Sequence, residues 1–146
     1  MSQTTQTRYL VVYADDDPDD LELVEEAFLQ YSGYIDLVKF RNGKAALHYF
    51  QNEMDVTLCL IILDINMPGM SGKDLLRKIR LMENLSHIPV VLFTTSSSVK
   101  DMEFASHYNA GFITKPLDIN QMELIAEKFI DNCSEDIRKK IRTQIQ

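Results

Sequence analysis

The feature that most narrows the fold is a six-residue run without a polar side chain, Leu58-Cys59-Leu60-Ile61-Ile62-Leu63, closed by Asp64. A strand with one wet face alternates apolar and polar residues, so an unbroken apolar strand needs cover on both faces, as in a parallel sheet between helices. The run is far shorter than the roughly 20 apolar residues that cross a bilayer. It carries a lone carboxylate to the tip of a buried strand, which makes Asp64 a candidate nucleophile. The next residues, Ile65-Asn66-Met67-Pro68-Gly69-Met70-Ser71-Gly72, supply the turn chemistry for a loop that wraps around a bound group.

The rest of the chain alternates strand-like runs with helix-period segments, giving five strand-helix units without an internal repeat. Tyr9-Leu10-Val11-Val12-Tyr13 is β-rich, and Asp17-Pro18 starts a helix with Asp17 as N-cap and Pro18 at the first position. Leu21, Val24 and Phe28 share one face of that helix, and Ser32-Gly33 stops it. Ile35 to Phe40 is the second strand, and Asn42-Gly43 opens a helix around Ala46, Leu47 and Phe50. After the third strand, Ser71 and Asp74 resemble a capping box, with Leu75, Leu76, Ile79 and Met82 facing inward. Pro89 suits the first residue of a fourth strand, which continues Val90-Val91-Leu92-Phe93 and ends in Thr94-Thr95 and the turn Ser96-Ser97-Ser98. A fourth helix follows. Gly111 to Thr114 forms the fifth strand, and Lys115-Pro116 breaks it before a helix capped by Asp118, with Ile119, Met122, Ala126 and Phe129 inward.

Strict alternation of this kind predicts an α/β fold, a doubly wound five-stranded parallel sheet with helices on both faces. At 146 residues the chain fits one domain with a real core. Fifteen basic against 22 acidic side chains give a net charge of −7, which argues against nucleic acid as a general partner, since that needs a basic surface. The polar start Ser2-Gln3-Thr4-Thr5-Gln6-Thr7 lacks the apolar core of a signal peptide, and no segment suits a membrane, so the expected location is cytoplasmic. Cys59 and Cys133 are then expected as reduced thiols.

In an open α/β sheet the ligand site lies at the carboxyl ends of the strands, near the reversal of strand order. The polar residues at those ends are Asp15-Asp16-Asp17, Asp64, Thr94 and Lys115. Two carboxylates about 4 Å apart repel by roughly 4 kcal/mol at an effective dielectric near 20, so such a gathering requires raised pKa values or a cation. An all-oxygen donor set favours Mg²⁺ and gives no support to zinc.

This set resembles that of the receiver domains of two-component response regulators over residues 8 to 131. The resemblance rests on Asp15-Asp16 after the first strand, Leu63-Asp64-Ile65-Asn66-Met67-Pro68-Gly69-Met70-Ser71-Gly72 after the third, Thr94 after the fourth and Lys115-Pro116 after the fifth. It implies a flavodoxin-like (βα)5 fold and a phosphorylation-dependent switch. Asp64 would accept a phosphoryl group from a sensor histidine kinase or phosphotransfer protein, and the domain would catalyse only its own phosphorylation and dephosphorylation. The resemblance further implies Mg²⁺, with Mn²⁺ as a substitute, held by Asp16, Asp64 and the backbone carbonyl of Asn66, with Asp15 acting through a metal-bound water. Lys115 would face the phosphoryl oxygens, and Pro116 suggests a cis peptide that aims it inward. Thr94 and Phe112 would be the switch pair, the hydroxyl of one drawn to the phosphoryl group and the ring of the other filling the space.

Plainer roles fall to the neighbours. Asp17 is assigned to capping, Asp19 and Asp20 to the helix dipole, and Glu22, Glu25 and Glu26 to a solvated face. His48, His87 and His107 lie away from the carboxyl edge. Four positions bear on the family pattern: Thr95 is β-branched where a small residue is common, Phe112 lacks the hydroxyl of the Tyr alternative, and Asn66 and Ser96 occupy positions that tune dephosphorylation. Residues 1–7 are expected as a flexible leader, and residues 132–146 as a tail too short for an output domain. In that tail Ile137, Ile141 and Ile145 recur every four residues among basic side chains, the pattern of a helical extension suited to pairing or docking. Output is then expected through protein–protein contact with a downstream protein at the face of the fourth helix, fifth strand and fifth helix, with homodimer formation as a further option. Two other classes compete: a phosphate-independent adaptor, and a haloacid-dehalogenase-type phosphatase. The latter needs a second acid two residues beyond the nucleophile, where this chain has Asn66.

Overall fold

A computed structural model of the chain describes residues 7–53 and 56–145, with backbone alone for residues 144 and 145. The expected leader therefore lies outside the described residues apart from Thr7, as does the side chain of Ile145. Strand β1 (Tyr9–Ala14), α1 (Pro18–Phe28), β2 (Ile35–Phe40), α2 (Gly43–Asn52), β3 (Leu58–Leu63), α3 (Gly72–Leu81), β4 (Val90–Thr94), α4 (Val99–His107) and β5 (Gly111–Thr114) alternate. Three helices follow: α5 (Ile119–Glu123), α6 (Ile125–Ile130) and α7 (Glu135–Ile145). The strands form one parallel sheet in the order β2-β1-β3-β4-β5.

The helix starts follow from local chemistry. Asp17 accepts from the Asp19 and Asp20 amides with Pro18 at the first turn, Asn42 accepts from Ala45, Ser71 from Asp74, Ser98 from Asp101 and Asp118 from Asn120. Each satisfies an amide that the helix itself cannot.

Every residue of β1, β3 and β4 is buried, as their continuous apolar runs demand. Successive side chains alternate between two cores. One joins Tyr9, Val11 and Tyr13 to Leu60, Ile62, Val91 and Phe93 beneath α1, α5, α6 and α7; the other joins Leu10, Val12 and Ala14 to Ile61, Leu63, Val90 and Leu92 beneath α2, α3 and α4. The register of β1 on β3 slips between Leu10 and Val11, so that Cys59 is an extra residue on β3 and lies with Leu60 in the first core. Cys59 and Cys133 are both buried free thiols.

Four local expectations are corrected. Pro89 precedes β4, and its carbonyl accepts the Ile61 amide at 3.0 Å. The single helix expected after Asp118 is two short ones interrupted at Leu124 (φ −98°, ψ 4°), and Ile119 is exposed, lining a groove with Leu23, Leu29 and Met122. Met82, the residue that terminates α3, does face inward as expected, half-buried against the second core. No cis peptide occurs among the described residues; the Lys115–Pro116 bond keeps the trans form that even proline favours, and Lys115 reaches the interior regardless. In α7, Ile141 is fully buried and Ile137 half-buried against the first core.

Gly72 opens α3 against the end of β3. A Cβ there would lie 2.1 Å from the Asp64 carbonyl oxygen and 3.0 Å from the Ile65 Cα, and backbone atoms cannot swing aside as a side chain can. Gly72→Ala is therefore expected to destabilise the fold by about 2 kcal/mol, the scale of overpacking a tight site, which a urea unfolding curve will measure.

Candidate metal centre

Pairing carries the candidate residues to one edge. Ala14 is registered with Leu63 and Thr94 with Thr114, so the next residues of β1 and β3, Asp15 and Asp64, emerge side by side, and Lys115 follows β5. The backbone fixes them further: the Asp64 amide donates to Ala14 O at 2.9 Å, the Asp15 amide to Phe40 O at 3.0 Å and the Lys115 amide to Thr94 O at 2.6 Å. Strand order reverses between β1 and β3, the crevice where open α/β sheets bind ligands.

Asp15, Asp64, Thr94 and Lys115 are buried, and Asp16 is exposed at the mouth. Asp15, Asp16 and Asp64 each offer a carboxylate oxygen, all within 4.8 Å of one another. Three hard oxygen donors with one side open to solvent fit a divalent cation that retains some of its water. Asn66, also exposed, sits in the loop after Asp64, and its amide is hydrogen-bonded to the Asp64 carboxylate. Its side chain and that of Thr95 are at the surface.

Lys115 is the cationic hub of the cluster. Its Nζ lies 2.8 Å from Asp15 Oδ2, 2.7 Å from Asp20 Oδ2 and 3.6 Å from Asp64 Oδ1, above the Phe93 ring at 5.6 Å from the centroid. Burial by itself would lower its pKa, but the hydrogen bonds to Asp15 and Asp20 and the charges of Asp15 and Asp64 outweigh that and raise it. Asp20 is a site residue that the sequence reading gave to the helix dipole. One turn into α1 its carboxylate turns back over the sheet edge, and burial raises its pKa against the pull of Lys115.

Asp64 has the opposite balance. Burial first, then the Asp15 charge, push it up to about 7, against the pull of Lys115 and the Asn66 amide. Tyr13, two residues before Asp15, donates its hydroxyl to Asp15 Oδ2 at 2.5 Å. Burial and the surrounding carboxylates hold the phenol pKa well above its ordinary value. Thr94 Oγ1 accepts the Ser96 amide at 3.1 Å, and Ser96 Oγ donates to Asp101 at 2.6 Å. Asp101 is also paired with Lys73 of α3, so the β4–α4 loop is tied to two helices. Phe112 is half-buried against the second core. The three histidines are exposed, away from this edge.

A folded carboxyl whose pKa is raised favours its protonated form. The stability that Asp64 contributes is therefore intact below its unfolded value near 4 and is lost as pH rises through about 7. Metal-free protein should melt at a lower temperature at about pH 8 than at about pH 5, Asp64→Asn should reduce that difference, and a divalent cation, which selects the ionised form, should raise the melting temperature more at the higher pH. Scanning calorimetry of both proteins at the two pH values checks this.

The comparisons with known proteins agree with this geometry. The family model described as "Response regulator receiver domain" matches residues 11–127. "Probable methanogenesis regulatory protein FilR2" of Methanothrix harundinacea (strain 6Ac) is 30% identical over 127 residues, covering 82% of this chain and 80% of that protein; several other relatives are longer, and the chain spans less than half of them. Among solved structures, that of the phosphorylated cyanobacterial phytochrome response regulator RcpA superposes with a TM-score of 0.77 at 26% identity, covering 84% of this chain and 91% of that one. The Mn(2+)-bound form of response regulator Rcp1 gives 0.75 at 25% identity, covering 82% and 90%. With the strand order, the acid cluster and the buried lysine already in place, the chain belongs to the response regulator receiver domain family and acts in phosphorylation-dependent signalling.

Proposed function

We propose that Asp64 is the phosphoacceptor, and that the chain is a Mg²⁺-dependent switch charged by a sensor histidine kinase or phosphotransfer protein. The observation that carries this reading is the convergence of Asp15, Asp16 and Asp64 within 4.8 Å, with Lys115 at 3.6 Å from Asp64. Asp16, Asp64 and the Asn66 carbonyl would hold Mg²⁺ directly and Asp15 through a water, with Mn²⁺ able to replace it. Bound there, the ion supplies charge neutralisation for the phosphoryl oxygens, the main requirement of phosphoryl transfer.

The residues of the chain do the rest. An Asp64 carboxylate oxygen attacks phosphorus, the donor's P–N bond breaks, and an acyl phosphate remains on Asp64. Lys115 is close enough to turn from Asp20 toward the new phosphoryl oxygens. Thr94 Oγ1 exchanges its contact with the Ser96 amide for the phosphoryl group, which pulls the β4–α4 loop, and Phe112 moves into the vacated space. A local charge change thereby biases a two-state element. The same site, attacked by water, returns Asp64 to its resting form, so the catalysis is confined to the chain's own acyl phosphate.

The output surface on this reading is the face of α4, β5 and α5, where Val99, Met102 and Leu117 are exposed apolar side chains beside the loop that moves. On this reading residues 8–131 form the receiver unit, and the tail 132–146, which contains α7, is an extension suited to docking or to homodimer formation. The reading places the protein in the cytoplasm, where its phosphodonors would be, and no helix among the described residues is long and apolar enough to cross a membrane.

Purified protein incubated with Mg²⁺ and a small acyl-phosphate donor is expected to gain one phosphoryl group by mass spectrometry, and Asp64→Asn to gain none. No gain in the parent from either a small donor or a histidine kinase would refute the reading. Lys115→Ala should still accept the group while losing the accompanying change at Thr94 and Phe112, which amide NMR shifts on phosphorylation will report.

A further inference from the structure

The β1 residue two positions before Asp15 is a tyrosine, and neither the metal cluster nor the phosphoacceptor requires a phenol there. Tyr13 is fully buried in the first core, with its ring edge-on to Phe93 at 6.2 Å. A phenylalanine would fill that space equally well. What the tyrosine adds is one polar atom, and that atom is spent on Asp15.

Asp15 is the most enclosed carboxylate of the cluster, with no exposed surface. Its Oδ2 receives the Tyr13 hydroxyl at 2.5 Å and Lys115 Nζ at 2.8 Å, and its Oδ1 receives the Asp17 amide at 2.9 Å. An ionised carboxylate offers about four acceptor sites, so three protein donors fix its plane, and the carboxyl of Asp64 lies beside it. Lys115 is shared, because Asp20 and Asp64 also draw on it. The Asp17 amide and the Tyr13 hydroxyl are the two donors that cannot leave, one being backbone and the other a packed ring on a central strand.

We infer that Tyr13 is a positioning residue for the metal centre: its hydroxyl locks the Asp15 carboxylate in the orientation that serves a divalent cation, and holds it there when Lys115 turns toward Asp64. Hydrogen-bond donors behind a metal-binding carboxylate set its orientation, and removing such a partner weakens metal binding by about tenfold or more. The inference rests on the reading of Asp15, Asp16 and Asp64 as the cation site.

The test uses Mn²⁺ alone as probe, titrated into the full chain and followed by the electron paramagnetic resonance of the free ion. The parent should bind one Mn²⁺ and Asp16→Asn should lose it. Tyr13→Phe, which keeps the ring, should weaken the Kd about tenfold, and a ring-fluorinated tyrosine at position 13, which restores the donor, should return it toward the parent value. Phosphorylation from a small acyl-phosphate donor separates positioning from a purely structural role: in Tyr13→Phe the Mn²⁺ concentration for half-maximal rate should rise while the rate at saturating Mn²⁺ recovers. An unchanged Kd in Tyr13→Phe beside a parent that binds Mn²⁺ overturns this inference and leaves the cation site standing, as does a lower plateau with an unmoved half-saturation point. A parent that binds no Mn²⁺ overturns both.

Discussion

The buried ammonium of Lys115 is the contact around which the functional edge is organised. Asp15, Asp20 and Asp64 all lie within 3.6 Å of it, and carboxylates gathered this closely at the end of a dry sheet repel one another strongly unless a cation stands among them. One lysine cannot neutralise the whole group. Burial and the Asp15 charge still push Asp64, the partner farthest from Nζ, up to about 7, so the site is short of positive charge at the residue that the chemistry needs ionised. A divalent cation and an incoming phosphoryl group answer that imbalance together, which is a physical reason for a receiver to respond to both.

The sheet makes this cluster affordable. Because β1, β3 and β4 are buried on both faces, their ends are held by two cores at once, and the side chains beyond them have little freedom to spread apart. Gly72 lets α3 begin almost in contact with the Asp64 carbonyl, which closes the third side of the site. The β4–α4 loop is fastened differently, by the hydrogen bond between Ser96 and Thr94 Oγ1 and by the pairing of Asp101 with Ser96 and Lys73. These are polar contacts near the surface, weaker than core packing and able to exchange partners, as a switch requires.

Much of the fold was legible because its signals are local. The apolar runs at Leu58–Leu63 and Val90–Phe93, the Asp17-Pro18 start and the Ser71 cap each depend on a few adjacent residues, and strands and caps stand where those signals put them. Errors arose where the deciding contact is remote. Asp20 follows an N-cap and a proline, the place of a residue that complements a helix dipole, and nothing nearby announces that Lys115 lies 95 positions away across the sheet edge. Tyr13 reads as an ordinary strand aromatic until its hydroxyl is seen against Asp15. The break at Leu124 leaves the apolar period of that segment almost intact, so periodicity alone joins α5 to α6.

By itself the sequence determined the layered α/β architecture, the identity of the acids and the lysine at the strand ends, and the family to which that set belongs, because each follows from short-range pattern and residue type. Tertiary structure alone decided which oxygen meets which donor: that Lys115 enters through a trans peptide and bridges three acids, that Asp20 joins the site, and that Tyr13 stands behind Asp15. The register of β1 on β3, slipped once at Cys59, sets Asp15 beside Asp64, and a register is a property of two strands that neither strand's sequence contains alone.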